Sequence, residues 1–297
     1  MSQTPTGDDA RQQVVQSAIR EISHIATLPE ITVRIVELVE DPKSTAQDLH
    51  EVISQDPALS SRILKVVNSS FYGLPGQIGS INRAIVMLGL NAVKNIAIAA
   101  SLVKLFRGGD LTKQISAKDI WDHSSYVAAA SKMIADQLKL GLGDEAYLAG
   151  LTHEIGMVVE MQFDRDKLIR VLEGTGCDSQ GVPVNDMREL ELQVFGATHE
   201  DFGKALCEAW KFPRTFAQVA GHHHNPLGLP AESRTLACIV HVADRLAAEI
   251  EGTFRADLPD TTISQDVLDE LNLTQDRVEA VRKKLAETDA DSFQLAA

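Results

Sequence analysis

Residues 56–72 read DPALSSRILKVVNSSFY, and residues 80–89 read SINRAIVMLG. Asp56-Pro57 has the form of an N-cap followed by proline at the first helical position, where the missing N–H costs nothing. Leu59, Ile63, Val66 and Val67 then recur at helical spacing and form one apolar stripe. Asn68 suits a left-handed exit, and Asn68-Ser69-Ser70 opens a turn. The loop from Ser69 to Gly79 carries three glycines and one proline. Ser80 caps a second short helix, Ile81–Leu88, which Gly89 breaks. These residues need only be caps and turns, and those roles account for them.

Reading outward, the periodicity is helical almost everywhere and period-2 runs are hard to find. Upstream lie helices near Gln12–Ile25 and from Pro29 to Glu40. The second buries Ile31, Ile35, Leu38 and Val39 and ends at Asp41-Pro42. Thr45 caps Ala46–Ser54. Downstream, Asn91–Phe106 turns Val93, Ile96, Ala97 and Ala100 inward, and Gly108-Gly109 punctuates the chain. Further helices are expected over Ala117–Leu138, Glu145–Gln162, Asn185–Phe195, Pro213–His222, Glu232–Glu251, Gln265–Leu271 and Thr274–Glu287. A Gly-rich stretch spans Gly174–Gly181, and Thr198 starts a helix with Asp201 as the partner of a capping box. The expected organisation is all-α. Residues 1–20 form a polar tail and helix start, and 21–110 a first helical lobe. Residues 116–251 form a second lobe, and 252–297 an acidic extension with a polar end.

Hydrophobic residues make up 44% of the 297, aromatic residues only 5% and charged residues 24%, so a large core needs no staples. Lys and Arg number 28 against 42 Asp and Glu, a net charge of −14. That balance disfavours nucleic acid and an anionic membrane surface as partners. A helix-turn-helix around Gly89 would offer Lys94 and Lys104 before Arg107, a thin basic face. Cys177, Cys207 and Cys238 form no CxxC pair, which excludes a thiolate zinc site and fits reduced thiols. The start, MSQTPTGDDARQQ, lacks the pattern of a signal peptide. The longest apolar stretch, Ile96–Leu105, is too short for a bilayer. A cytoplasmic location is expected.

Most of the histidines fall in the second half. His123 shares a helix face with Val127, Ala130 and Ile134. His153-Glu154 sits in one helical stretch, and His199 opens another. His222 and His223 belong to a three-histidine run. Asp244 stands on the apolar face of its helix with Val240 and Ala247, where an unpartnered carboxylate is costly. A salt bridge to Arg245 or His241 is the simple explanation for it. Together these are seven donors on five segments. Imidazole plus carboxylate suits manganese, iron, zinc or nickel. Two ions a few ångström apart would suit phosphoester hydrolysis.

The order His, His-acid, His, His-His, Asp resembles the HD superfamily of metal phosphohydrolases, the HD-GYP branch in particular. The motifs are WDHSSYVAAASKMIA, AGLTHEIG, GATHEDFG, VAGHHHNP and IVHVADRLA. The first-lobe phrases LPEITVRIVELVEDP, VISQDPALSSRILKVVNSSFYG and SINRAIVMLGLNAVKNIAI resemble the HDOD domain, a relative of that superfamily, from about Ile25 to Ile250. The resemblance implies a bacterial, all-helical protein with an N-terminal lobe packed on an HD-like lobe. It also implies regulatory, generally non-catalytic action through a signalling protein partner, with a divalent metal or a nucleotide in the HD-like pocket. His123, His153, Glu154, His199, His222, His223 and Asp244 would be the metal ligands. The chain departs from HD-GYP enzymes in having glutamate in the HD pair, Met157 where they place lysine, and NPLGLP in place of the Gly-Tyr-Pro signature. The alternative is a metal-dependent phosphohydrolase on a nucleotide or cyclic nucleotide. One ion would then sit on His123, His153, Glu154 and Asp244, and a second on His199, His222 and His223.

Overall fold

The structure is a computed structural model that describes residues 7–22, 30–69, 71–106, 108–178, 182–250 and 252–288. The leading six residues, Ser70, the end of the Gly-rich stretch and the polar tail lie outside these residues. Among the described residues every named element is helical, and β pairing is confined to isolated bridges at Asp110–Ser116 and Cys177–Pro183.

In chain order the helices are α1 (Gly7–Ile22), α2 (Glu30–Glu40), α3 (Ala46–Ser54), α4 (Pro57–Val67), α5 (Ile81–Leu88), α6 (Leu90–Leu102), α7 (Ala117–Leu138) and α8 (Gly143–Thr152). They continue with α9 (Ile155–Phe163), α10 (Arg165–Thr175), α11 (Met187–Val194), α12 (His199–Ala209), α13 (Arg214–His222), α14 (Thr235–Ala247), α15 (Gln265–Leu271) and α16 (Gln275–Ala286). Short 3₁₀ turns follow α6, precede α14 and lie between α13 and α14.

Local chemistry sets many of the boundaries. The Thr45 hydroxyl accepts from the Asp48 N–H and the Asp48 carboxylate accepts from the Thr45 N–H. The Asp56 carboxylate accepts from the N–H groups of Ala58 and Leu59, with Pro57 next to it. Ser80 caps α5, and Thr198 with Asp201 forms the box that starts α12. Gly89, at φ +92°, separates α5 from α6 in a conformation that costs glycine little.

The structure corrects three expectations. Asn68 ends α4 at φ −86° rather than in a left-handed exit. Its side chain is engaged elsewhere: it donates to Leu64 O and Ile78 O and accepts from Ile78 N–H at 2.6 Å, which clamps the loop across its base. The helix expected over 145–162 is two helices, with the break at His153-Glu154. The one expected over 232–251 starts as a 3₁₀ turn and becomes α-helical only at Thr235.

The first lobe packs α2, α4 and α5 around α6, and the second wraps α8, α14 and α16 around α7. Helix α6 also packs on α8 and so joins the lobes. Its residues from Ala92 to Leu102 are all buried. Lys94 is buried too and donates to Leu38 O and the Ser44 hydroxyl. Of the basic residues noted around Gly89, Arg107 and the Lys104 side chain lie outside the description. Helix α1 lies on the second lobe, against α9 and α12, where Arg11 pairs with Asp201. No described helix is long and apolar enough to cross a membrane.

Candidate metal centre

Gly156, near the start of α9, faces α12 at very close range. A Cβ there would stand 1.8 Å from His199 O and 2.8 Å from Gly203 N. Only glycine permits this crossing. It brings the turn between α8 and α9, which carries His153 and Glu154, against the first residue of α12, His199. Helices α7 and α14 close the other side with His123 and Asp244, and the end of α13 brings in the histidine run.

All these side chains are sealed from solvent: His123, His153, Glu154, His199, His223 and Asp244 are each 0% exposed. His123 Nε2 lies 3.0 Å from Asp244 Oδ1. His153 Nε2 is 3.7 Å from that oxygen and 3.7 Å from Glu154 Oε1, and His199 Nε2 is 3.7 Å from Glu154 Oε2. His199 Nε2 also faces His224 Nε2 at 3.1 Å and His223 Nε2 at 3.4 Å. Asp244 therefore has His123 as its nearest partner. The salt bridge expected to Arg245 is longer, at 3.9 Å.

Six of the seven sequence candidates converge, and His222 does not. It is half-buried on another side of α13, near Lys204 and Asp201, where burial and then the Lys204 charge lower its pKa. Helical phase accounts for part of the exchange. Ala220 is buried and His223, the C-cap three residues on, falls on the same face; α13 stops at His222, and His224 turns inward from the bend that follows. Two carboxylates escaped the sequence reading. Glu191, on the inward face of α11 with Met187, accepts from His199 Nδ1 at 2.8 Å and from the His199 backbone N–H. The test that singled out Asp244, an acid on an apolar stripe, would have found it. Asp257 lies in irregular chain after α14, 3.4 Å from His224 Nε2, and no periodicity marks it.

The proton arrangement fits a cation. His153 Nδ1 lies 2.7 Å from Gly150 O and His223 Nδ1 3.2 Å from Ala220 O. A carbonyl only accepts, so these Nδ1 atoms carry the protons and both Nε2 lone pairs point inward. Burial lowers the pKa of His223 and His224 well below the ordinary value, which keeps them neutral. Burial also pulls His199 down, but the carboxylates of Glu191 and Glu154 outweigh it and raise its pKa well above the ordinary value. Without a cation, a proton on His199 has to fill the gap between the facing nitrogens. Burial pushes Glu154 up against the pull of His199. It also raises Asp244, but the hydrogen bond to His123 prevails and holds that carboxyl well below the usual range. Both Glu154 oxygens, His153 Nε2 and Asp244 Oδ2 lack hydrogen-bond partners. Orphaned polar atoms at this depth cost about 1–3 kcal/mol each, more for charges. One donor atom from each of Glu154, His199, His223 and His224 lies within 4.8 Å of the others, as does one from each of His123, His153 and Glu154. The residues thus fit one or two divalent ions.

Comparisons with known proteins agree with this architecture. A solved HDOD domain protein of unknown function from Geobacter sulfurreducens superposes with a TM-score of 0.73 at 22% identity, over 97% of this chain and 93% of that one. A Marinobacter aquaeolei VT8 structure, named a presumed signal transduction protein, gives 0.77 at 24% over 98% and 66%. One from Shewanella amazonensis SB2B, named a presumed phosphohydrolase, gives 0.70 at 21% over 94% and 96%. At these identities the likeness bears on the fold alone. A Treponema pallidum (strain Nichols) protein of uncharacterised function is 23% identical over 255 residues, which is 84% of this chain and 47% of that protein, so the chain spans about half the length of that relative. The HDOD domain model matches residues 25–226, well over half of the chain. With this match, the first-lobe motifs and the buried His/Glu/Asp cluster, the chain belongs to the HDOD domain family.

Proposed function

We propose that this protein is a regulatory HDOD protein whose HD-like core holds divalent metal as an internal brace, and that it signals by contact with a protein partner. The observation that carries this reading is closure. The converging imidazoles and carboxylates are 0% exposed, apart from His224, whose side chain is 2% exposed. A hydrolytic centre needs an open position and a path for substrate, whereas a structural site is closed.

Glu154, His199, His223 and His224 would hold one ion, and His123 and His153, with Asp244 beside them, a second that shares Glu154. A bound cation supplies the positive charge that the unpartnered carboxylates lack. The chain does the rest. Glu191 orients His199, the carbonyls of Gly150 and Ala220 aim His153 and His223, and the shared centre ties α7, α9, α12, α13 and α14 together. Helix α8, which His153 follows as its C-cap, packs on α6, so the state of the cluster reaches the first lobe through direct packing. The net charge of −14 favours a protein partner over nucleic acid or an anionic membrane. The signal-transduction name of the Marinobacter structure supports this reading.

The test uses protein purified without chelators. Elemental analysis is expected to find manganese, iron, zinc or nickel. Chelation is expected to lower the melting temperature, and cyclic nucleotides and bis-p-nitrophenyl phosphate are expected to stay intact. Metal-dependent turnover that disappears in His153→Ala would overturn the reading. It would favour a phosphohydrolase, for which the sharing of Glu154 by two donor groups is the supporting geometry.

A further inference from the structure

The family match ends at residue 226, and Asp257 lies beyond it. The irregular chain after α14 dips into the protein at Phe254, Ala256 and Leu258, all buried, and the Phe254 ring centroid stands 6.0 Å from that of His123. Asp257 is 1% exposed. Neither of its carboxylate oxygens is hydrogen-bonded, and Asp244 Oδ2 lacks a partner as well. His224 Nε2, 3.4 Å away, is the closest group paired with Asp257, and one donor atom from each of His224, Asp244 and Asp257 lies within 4.8 Å of the others. Two guanidinium groups act from the flanks: Arg245, buried, whose Nη1 lies 3.9 Å from Asp244 Oδ2 and which also feels the Asp257 carboxylate, and Arg188, whose side chain is 35% exposed. Two carboxylates in one dry pocket repel each other unless positive charge lies between them.

We infer that Asp244 and Asp257, with His224 beside them, form a further cation position, to which the segment after α14 contributes a ligand from outside the family-matched region. A divalent ion there fastens residues 252–258 to the HD-like lobe. This rests on the reading that the cluster holds metal, since His224 and Asp244 belong to that cluster too.

Asp257→Asn keeps the shape and removes one charge. Wild type and variant are stripped, loaded with Mn²⁺ alone, desalted and measured for metal per chain and for melting temperature. The variant is expected to lose about one equivalent of metal and part of the Mn²⁺-induced rise in melting temperature. Metal-free, it is expected to melt no lower than the wild type, because neither Asp257 oxygen makes a hydrogen bond there. A merely structural carboxylate would lower the melting temperature in both states. In the wild type, hydrogen exchange over residues 252–258 is expected to slow when Mn²⁺ is added, which tests the position without any variant. A wild type that takes up no metal overturns this inference together with the reading beneath it. A wild type that binds metal, with Asp257→Asn binding as much or with exchange at 252–258 indifferent to Mn²⁺, overturns this inference alone.

Discussion

Replacing Gly156 by alanine probes how the metal centre is assembled. The added methyl would sit 1.8 Å from His199 O and 2.6 Å from His199 C, and both are backbone atoms that no rotamer change can move. Ordinary contact requires α9 and α12 to separate by about 1.5 Å. Overpacking of this kind costs about 1–3 kcal/mol, and a collision with backbone falls at the upper end. Alanine's better helix propensity returns up to about 1 kcal/mol. The net loss is about 2 kcal/mol or more, which lowers the melting temperature of a chain this size by about 4 °C or more. The same displacement draws Glu154 away from His199, so metal uptake falls as well. Thermal unfolding by circular dichroism, paired with elemental analysis, reads both effects. Gly79→Ala is the control, since nothing lies within 4 Å of its added methyl. If Gly156→Ala melted with the wild type and carried as much metal, the claim that this close crossing builds the site would be refuted.

Asn68→Ala removes the clamp on Ile78 and is expected to cost about 1–2 kcal/mol in urea unfolding, with faster amide exchange at Ile78. Glu160 is 0% exposed with neither oxygen hydrogen-bonded; burial and then the nearby Glu191 raise its pKa well above the ordinary value. The unfolded chain releases that proton first, so this residue withdraws stability as pH rises above the usual glutamate range. Glu160→Gln is therefore expected to match the wild type in acid and to become the more stable protein as pH rises, as followed by urea midpoints across pH.

The caps at Thr45, Asp56, Ser80 and Thr198 could be read from the chain because each closes its hydrogen bonds within three residues. The break at His153-Glu154 could not. Apolar residues continue on both sides, and the close approach of Gly156 to His199 that accompanies the break exists only after folding. The histidine run shows the same limit at finer scale. Composition announced a cluster, but the phase set by Ala220 turns His223 inward and His222 aside, and the bend after α13, which no periodicity marks, brings in His224. Glu191 was open to the stripe argument that found Asp244. Asp257, outside any periodic segment, carried no comparable signal.

A helix with no free side cannot be exchanged like a modular part. From Ala92 to Leu102, α6 is enclosed by both lobes, largely through small residues such as Ala97, Ala99, Ala100 and Ser101. A methyl gained on one flank has to be given back on the other. A chimera that grafts this first lobe onto another protein's second lobe would therefore need α6 recut to its new neighbour, and over generations the two halves are bound to drift in step.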